Sequence, residues 1–200
     1  MACENYGKIS NVFVEYSQDQ PGADFENPIL STGYWQETVG GDKYAYFTST
    51  GLVVNNQSGG IIENFVVKVT SDINVSYWHG LVAADNLAGS AIRNGYVYSD
   101  NDINENRVQI HVYQKDSGSS VGLITGTVEA NSTVENVYGL GDIYNHIDST
   151  FKRAGVLVGY VNGSMSNTLS NGDVYLNGGN QKAYGPSIGE TGGNVVSRRV

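Results

Sequence analysis

"IIENFVVKV", residues 61–69, decides the fold of this chain. Its Val and Ile content reads as a buried strand. Its centre is a phrase that returns, however: an apolar residue, one free position, then Asn. Ile62-Glu63-Asn64 is matched by "ISN" at 9–11, "IRN" at 92–94, "VEN" at 134–136 and "MSN" at 165–167. The asparagines stand at Asn11, Asn64, Asn94, Asn136 and Asn167, at steps of 53, 30, 42 and 31 residues. A glycine followed by apolar residues precedes four of them, at Gly51, Gly80, Gly122 and Gly155. The glycine-to-asparagine gaps are 13, 14, 14 and 12 residues. A degenerate sixth copy, "GPSIGETGGNVVS" from Gly185 to Ser197, puts Ser at the asparagine position.

A unit near 30 residues, repeated, calls for a repeat architecture. Glycines interrupt every window long enough for an amphipathic helix, and "NFVVKV", "GYVYSD" and "GDVYLN" read as short strands. The expected fold is therefore all-β, a parallel β-solenoid occupying residues 1–200 as one unit. Equivalent residues of stacked repeats would lie ~4.8 Å apart. Ile9, Ile62, Ile92, Val134 and Met165 are expected as one core column. The asparagines are expected to pass hydrogen bonds from repeat to repeat at a buried polar corner. The two long steps require insertions, at about 17–50 and 99–120. In the second, Val108, Ile110 and Val112 alternate with Gln109, His111 and Tyr113, which predicts a projecting strand or hairpin. The first copy lacks its opening glycine, so a segment of a longer protein is expected.

Composition narrows the function. Lys and Arg total 11 against 20 Asp and Glu, a net charge of −9, with no basic run beyond Arg198-Arg199. Phosphate-backbone binding needs clustered cations, so nucleic acid is not an expected partner. No apolar stretch approaches the ~20 residues that span a bilayer. One cysteine, Cys3, forbids an internal disulfide framework. Gly at 26 residues and Asn at 21 favour turns and left-handed backbone positions.

These repeats resemble the GLUG motif, best in "VGLITGTVEANSTVENVYGLGDI" and "AGVLVGYVNGSMSNTLSNGDVY". The resemblance covers about residues 1–16, 51–98 and 121–200. It implies a right-handed β-solenoid in a bacterial surface or secreted protein, such as an adhesin or the non-catalytic N-terminal region of an immunoglobulin A-cleaving-type zinc metallopeptidase. The implied location is extracellular or the cell surface. The implied partners are host protein or glycan, and other domains of the parent chain. The motif brings no catalytic residue with it.

The residues themselves point the same way. His79, His111 and His146 fit no zinc-ligand spacing and are expected at the surface or rim. "GPSIG" around Ser187 has no helix after it and reads as a turn, not a nucleophile elbow. Asp100, Asp102, Asn104 and Asn106 form an oxygen-rich stretch that a calcium ion could use, yet Glu105 and His111 stand where an EF-hand needs Gly and Glu. No catalytic or metal residue and no other cofactor is expected. The enzymatic alternative is a glycan-active β-helix, a lyase or glycosidase, working through grouped carboxylates such as Asp72, Asp100, Asp142, Asp148 and Asp173. Asp142 and Asp173 should stack as neighbours, which favours a structural role. Aromatic residues are the binding candidates. Tyr34, Trp35, Tyr44, Tyr46 and Phe47 cluster in the first insertion, and Tyr77 and Trp78 precede a repeat. Two roles are open to them, a contact face for protein or sugar and a cover for the apolar flank. Tyr96, Tyr98, Tyr138 and Tyr175 are expected to pack.

Overall fold

The computed structural model describes residues 2–16, 34–39, 42–47, 52–70, 72–75, 79–100, 107–112, 120–145, 153–176, 184–185, 188–191 and 194–197. Among the described residues there is no helix. The protein is all-β, and its main sheets are parallel.

The first sheet holds β1 (Ala2–Asn5), β5 (Val53–Asn56), β8 (Ala83–Asn86), β12 (Thr125–Val128), β15 (Val158–Val161) and β19 (Ile188–Thr191), in that order. The second holds β2 (Lys8–Tyr16), β6 (Ile61–Val69), β9 (Ala91–Ser99), β13 (Thr133–Asn145), β16 (Ser164–Asn171) and β20 (Asn194–Ser197). A third row runs β7 (Ile73–Val75), β10 (Val108–Val112), the C-terminal end of β13, and β17 (Val174–Leu176). A short sheet joins β11 (Ser120–Val121), β14 (Arg153–Gly155) and β18 (Tyr184–Gly185). Among the described residues only β3 (Tyr34–Val39) and β4 (Asp42–Phe47) pair antiparallel, as a hairpin. Successive repeats thus visit the same rows in the same order. The uninterrupted β13, 13 residues long, crosses from the second row into the third.

The expected core column is present. Ile9 lies opposite Ile62, then Ile92, Val134, Met165 and finally Val195. Ile62 and Ile92 are fully buried and Val134 and Met165 nearly so, while Ile9, on the first strand of the row, is only partly covered. A second column, Ile73, Ile110, Ile143 and Val174, fills the third row. Burying each such side chain stabilises the fold by roughly 1.5–3 kcal/mol. After Asn64, β6 alternates: Phe65, Val67 and Val69 are buried, while Val66 and Lys68 are only partly covered on the outer face.

Val108–Val112 does not project. It is an inner strand between β7 and β13, with Val108, Ile110 and Val112 buried. The alternation seen in the sequence is real, but it faces the core of the stack. The extra length of that repeat divides between 100–107 and 113–119, on either side of β10.

The glycine landmark has a steric cause. A Cβ on Gly80 would collide with backbone of Thr125 and Ile124; one on Gly122 would meet Leu157; one on Gly155 would meet Ile188 and Gly189. In each case the carbonyl three residues on, at Ala83, Thr125 and Val158, closes the space from within the repeat and the next repeat closes it from above. The drop in gap from 14 to 12 also has a cause. The link between the first two sheets is two residues shorter after Val161 than after Asn56, Asn86 or Val128. In the longer links Gly59, Gly89 and Asn131 take positive φ, at 81°, 80° and 62°. Ser197 does not take the asparagine position: the register shifts, and Ser197 pairs with Thr168.

Candidate functional site

The repeated asparagines all adopt left-handed backbone, with φ of 58° at Asn11, 53° at Asn64, 57° at Asn94, 52° at Asn136 and 50° at Asn167. Asn tolerates this conformation better than any other residue bearing a Cβ. The bend it makes ends one alternation of side chains and starts the next, so the apolar residue before and the strand after both face inward. The ladder also exists. Asn64 Nδ2 donates to Asn11 Oδ1 at 3.2 Å, Asn94 to Asn64 at 3.4 Å and Asn136 to Asn94 at 3.1 Å. It is exposed, not buried, which corrects the expectation of a buried polar corner. That role belongs to a different column, Asn5, Asn56 and Asn86, each buried and each at the end of its strand in the first sheet.

Beside the exposed ladder runs an outward apolar column. Phe13, Val66, Tyr96, Tyr138 and Leu169 lie opposite one another in successive strands of the second sheet. Phe13 is 61% exposed and Tyr96 40%. Tyr96 packs against Tyr98 with ring centroids 5.3 Å apart. Tyr96 and Tyr175, expected to pack, do so against Tyr98 and Tyr144, but on the outer surface and not in the core. An open cleft of about 650 Å³ lies here, bordered by Asn64, Asn94, Phe65, Gly95, Tyr96 and Tyr138. Gly95 is essential to its shape, since a Cβ there would run into the ring of Phe65, which is nearly fully buried.

Charges flank this column and are matched. Glu63 takes an ion pair from Lys8 at 2.5 Å and one from Arg93 at 2.7 Å. Hydrogen bonds from Lys8 and then Arg93 hold its carboxyl below the usual glutamate range. Lys68 bridges Asp100 at 2.6 Å and Glu15 at 3.2 Å, and these partners, Asp100 foremost, raise its pKa.

The third row carries a second aromatic ladder. His111 stacks on Tyr144 at 5.0 Å, and Tyr144 on Tyr175 at 4.6 Å with planes 7° apart. Asp142 and Asp173 are neighbours, as their "GDI" and "GDV" contexts predict. The Asp173 amide donates to Asp142 Oδ1 at 2.8 Å, and Arg107 Nη1 reaches the same oxygen at 3.2 Å. Asp142 is therefore tied into the backbone. Burial first, and the Asp142 charge second, raise the Tyr144 phenol. His79 is not a rim residue. It is fully buried, its amide donates to the Ser120 carbonyl at 3.1 Å, and burial lowers its pKa to about 3.

Of the aromatic candidates, Tyr34 and Trp35 lie in β3 and Tyr44, Tyr46 and Phe47 in β4. Trp35 is opposite Tyr46 in the hairpin backbone, and Tyr34 is opposite Phe47. Their side chains, and all of Tyr77 and Trp78, lie outside the described residues, as do Asp102, Asn104, Asn106, Asp148, His146 and Ser187. Among the described residues no three His, Cys, Asp or Glu side chains group as a metal site. Compared with protein-family models, curated proteins and solved structures, the chain gives no match.

Proposed function

We propose that the repeats wind as a right-handed parallel β-solenoid, and that the chain is a non-catalytic repeat module of a bacterial cell-surface or secreted protein. In this reading it presents a scaffold and recognition surface to host protein or glycan. The observation that carries it is the outward column Phe13-Val66-Tyr96-Tyr138-Leu169, held in register across five strands. Rigid aromatic side chains on a fixed sheet give contact area at low entropic cost. The GLUG resemblance supplies the cellular setting. The test is a binding screen of the 200-residue chain against immobilised host surface proteins and a glycan array, together with protease accessibility of the parent protein on intact cells. Selective binding and surface cleavage are expected. Absence of both would remove the reading.

A second reading is a glycan-active enzyme, for which the exposed carboxylate of Asp173, 3.8 Å from Arg107 Nη1, is the specific observation, while the buried Asp142 keeps its structural role. Reducing-end and unsaturated-product assays on acidic and neutral polysaccharides separate the two. Turnover that is lost in Asp173→Asn would establish the enzyme.

A further inference from the structure

The geometry points to a specific ligand site: the cleft bordered by Tyr96, Tyr138, Asn64 and Asn94 binds a neutral oligosaccharide, running across the strands along the asparagine ladder. This deepens the proposed recognition role and rests on it.

Four features carry the inference. First, each Asn side chain has two amide hydrogens and two carbonyl lone pairs. A ladder bond consumes one hydrogen of its donor and one lone pair of its acceptor, so Asn64 and Asn94 each keep one donor and one acceptor, and both are exposed. Paired hydroxyls of a sugar are complementary to such a donor-acceptor edge. Second, Tyr96 and Tyr138 stand in adjacent strands next to those amides. The apolar C–H face of a pyranose packs on aromatic surface, while the amides meet its hydroxyls. Third, the pattern repeats along the stack at ~4.8 Å per strand, a step close to the length of one sugar ring. Two successive sugars would meet the two successive Asn–Tyr pairs, Asn94 with Tyr96 and Asn136 with Tyr138, and the next would reach Asn64 beside Val66. Fourth, the charges on both sides are already matched, in Lys8–Glu63–Arg93 and in Glu15–Lys68–Asp100. An uncharged ligand suits a surface whose charges are satisfied internally. The cleft's volume of about 650 Å³ falls within the ~300–1,000 Å³ common for small-ligand sites.

The experiment is calorimetric titration of the full chain with neutral β-1,4-linked hexaoses of glucose and of N-acetylglucosamine, with oligogalacturonate as the charged comparator. Binding to a neutral hexaose is expected. It should weaken by about tenfold or more in Tyr96→Ala and in Tyr138→Ala. It should be unchanged in Tyr175→Ala, which lies on the other aromatic ladder. Circular dichroism and melting of each variant confirm that the fold is kept. Neutral-glycan binding that survives the Tyr96→Ala/Tyr138→Ala double variant overturns the site while leaving the recognition role standing. Preference for oligogalacturonate overturns the neutral ligand. Binding to host protein in the screen above, with no glycan bound, also overturns the site and spares the module. A chain that binds nothing in either assay removes both.

Discussion

Asn56 sits directly on Asn86: its Nδ2 donates to Asn86 Oδ1 at 2.9 Å, and neither side chain has any exposed surface. Asn5 caps the pair by donating to Asn56 Oδ1 at 2.8 Å. Below Asn86 the column turns apolar, at Val128 and Val161. Asn86 ends the ladder by donating to the Thr133 carbonyl at 3.1 Å and accepting from Ser90 Oγ at 2.7 Å. The polar column is thus closed at its inner end by Ser90 and by backbone of the next repeat.

Removing the middle rung should be the most damaging change in that column. Asn56→Ala deprives Asn5 of its shorter acceptor, leaving it the Ile61 carbonyl at 3.4 Å, and leaves the carbonyls of Gly60 and Ala91 without the Asn56 amide. A loss of about 1–3 kcal/mol is expected from stranded buried groups. Asn5→Ala, at the end of the column, should lose less. Urea denaturation of both variants checks the order.

The exposed ladder should respond to backbone conformation more than to lost hydrogen bonds. Asn94 sits at φ 57°, where Gly is unstrained and a Cβ costs about 1–2 kcal/mol. Asn94→Gly should therefore retain most of the stability, and Asn94→Ala should lose about 1 kcal/mol more than Asn94→Gly. Equal melting temperatures for the two would contradict this role for the asparagine.

Ile92 tests the core column. It is fully buried, between Ile62 and Val134. Ile92→Ala should cost about 2–5 kcal/mol. Ile9→Ala, at the partly covered end of the column, should cost distinctly less. Denaturant midpoints at constant m-value give the comparison.

His79 makes stability depend on pH. Its folded pKa is lowered to about 3, against about 6.5 when unfolded. Between those values the unfolded chain binds a proton that the folded chain refuses, so stability is complete above about 6.5 and falls as the pH drops. The expected slope from this residue is about 1.4 kcal/mol per pH unit. Denaturation between pH 7 and pH 4.5 should show His79→Gln losing less stability than the parent over the same range, since carboxylates contribute equally to both.

Much of the stack was legible because repetition reports itself. The offset between Ile62 and Asn64, kept at Ile92-Asn94 and Val134-Asn136, is a local rule of backbone shape, and a local rule survives in sequence. The glycine at 80, 122 and 155 is equally local in sequence, and its cause is partly local, the carbonyl three residues on, and partly the neighbouring repeat. What stayed hidden was direction. Alternation at Val108–Val112 is the same whether a strand projects or lies between neighbours, and only pairing with Ile73 and Ile143 decides. The buried Asn column stayed hidden because it is short: Asn5, Asn56 and Asn86 give way to Val128, so no phrase recurs along the whole chain. Exposure was ambiguous too. Tyr96 and Val97 are adjacent, and one points out while the other is fully buried. The Asn-centred bend sets which is which, and that bend is a matter of φ, which composition does not reveal. His79 looked like a rim residue because nothing in its sequence neighbourhood announces the strand that covers it.

The repeats lie in register, one strand apart, from the first to the fifth. Spin labels at Phe13→Cys and Leu169→Cys, in a Cys3→Ser background, measure it directly by double electron-electron resonance. The two positions are separated by four register steps, through Val66, Tyr96 and Tyr138. At ~4.8 Å per step, four steps give one narrow distance distribution centred at about 20 Å. A distribution centred beyond about 30 Å would contradict the stacking, since in-register strands at ~4.8 Å per step pass that separation only after more than six steps.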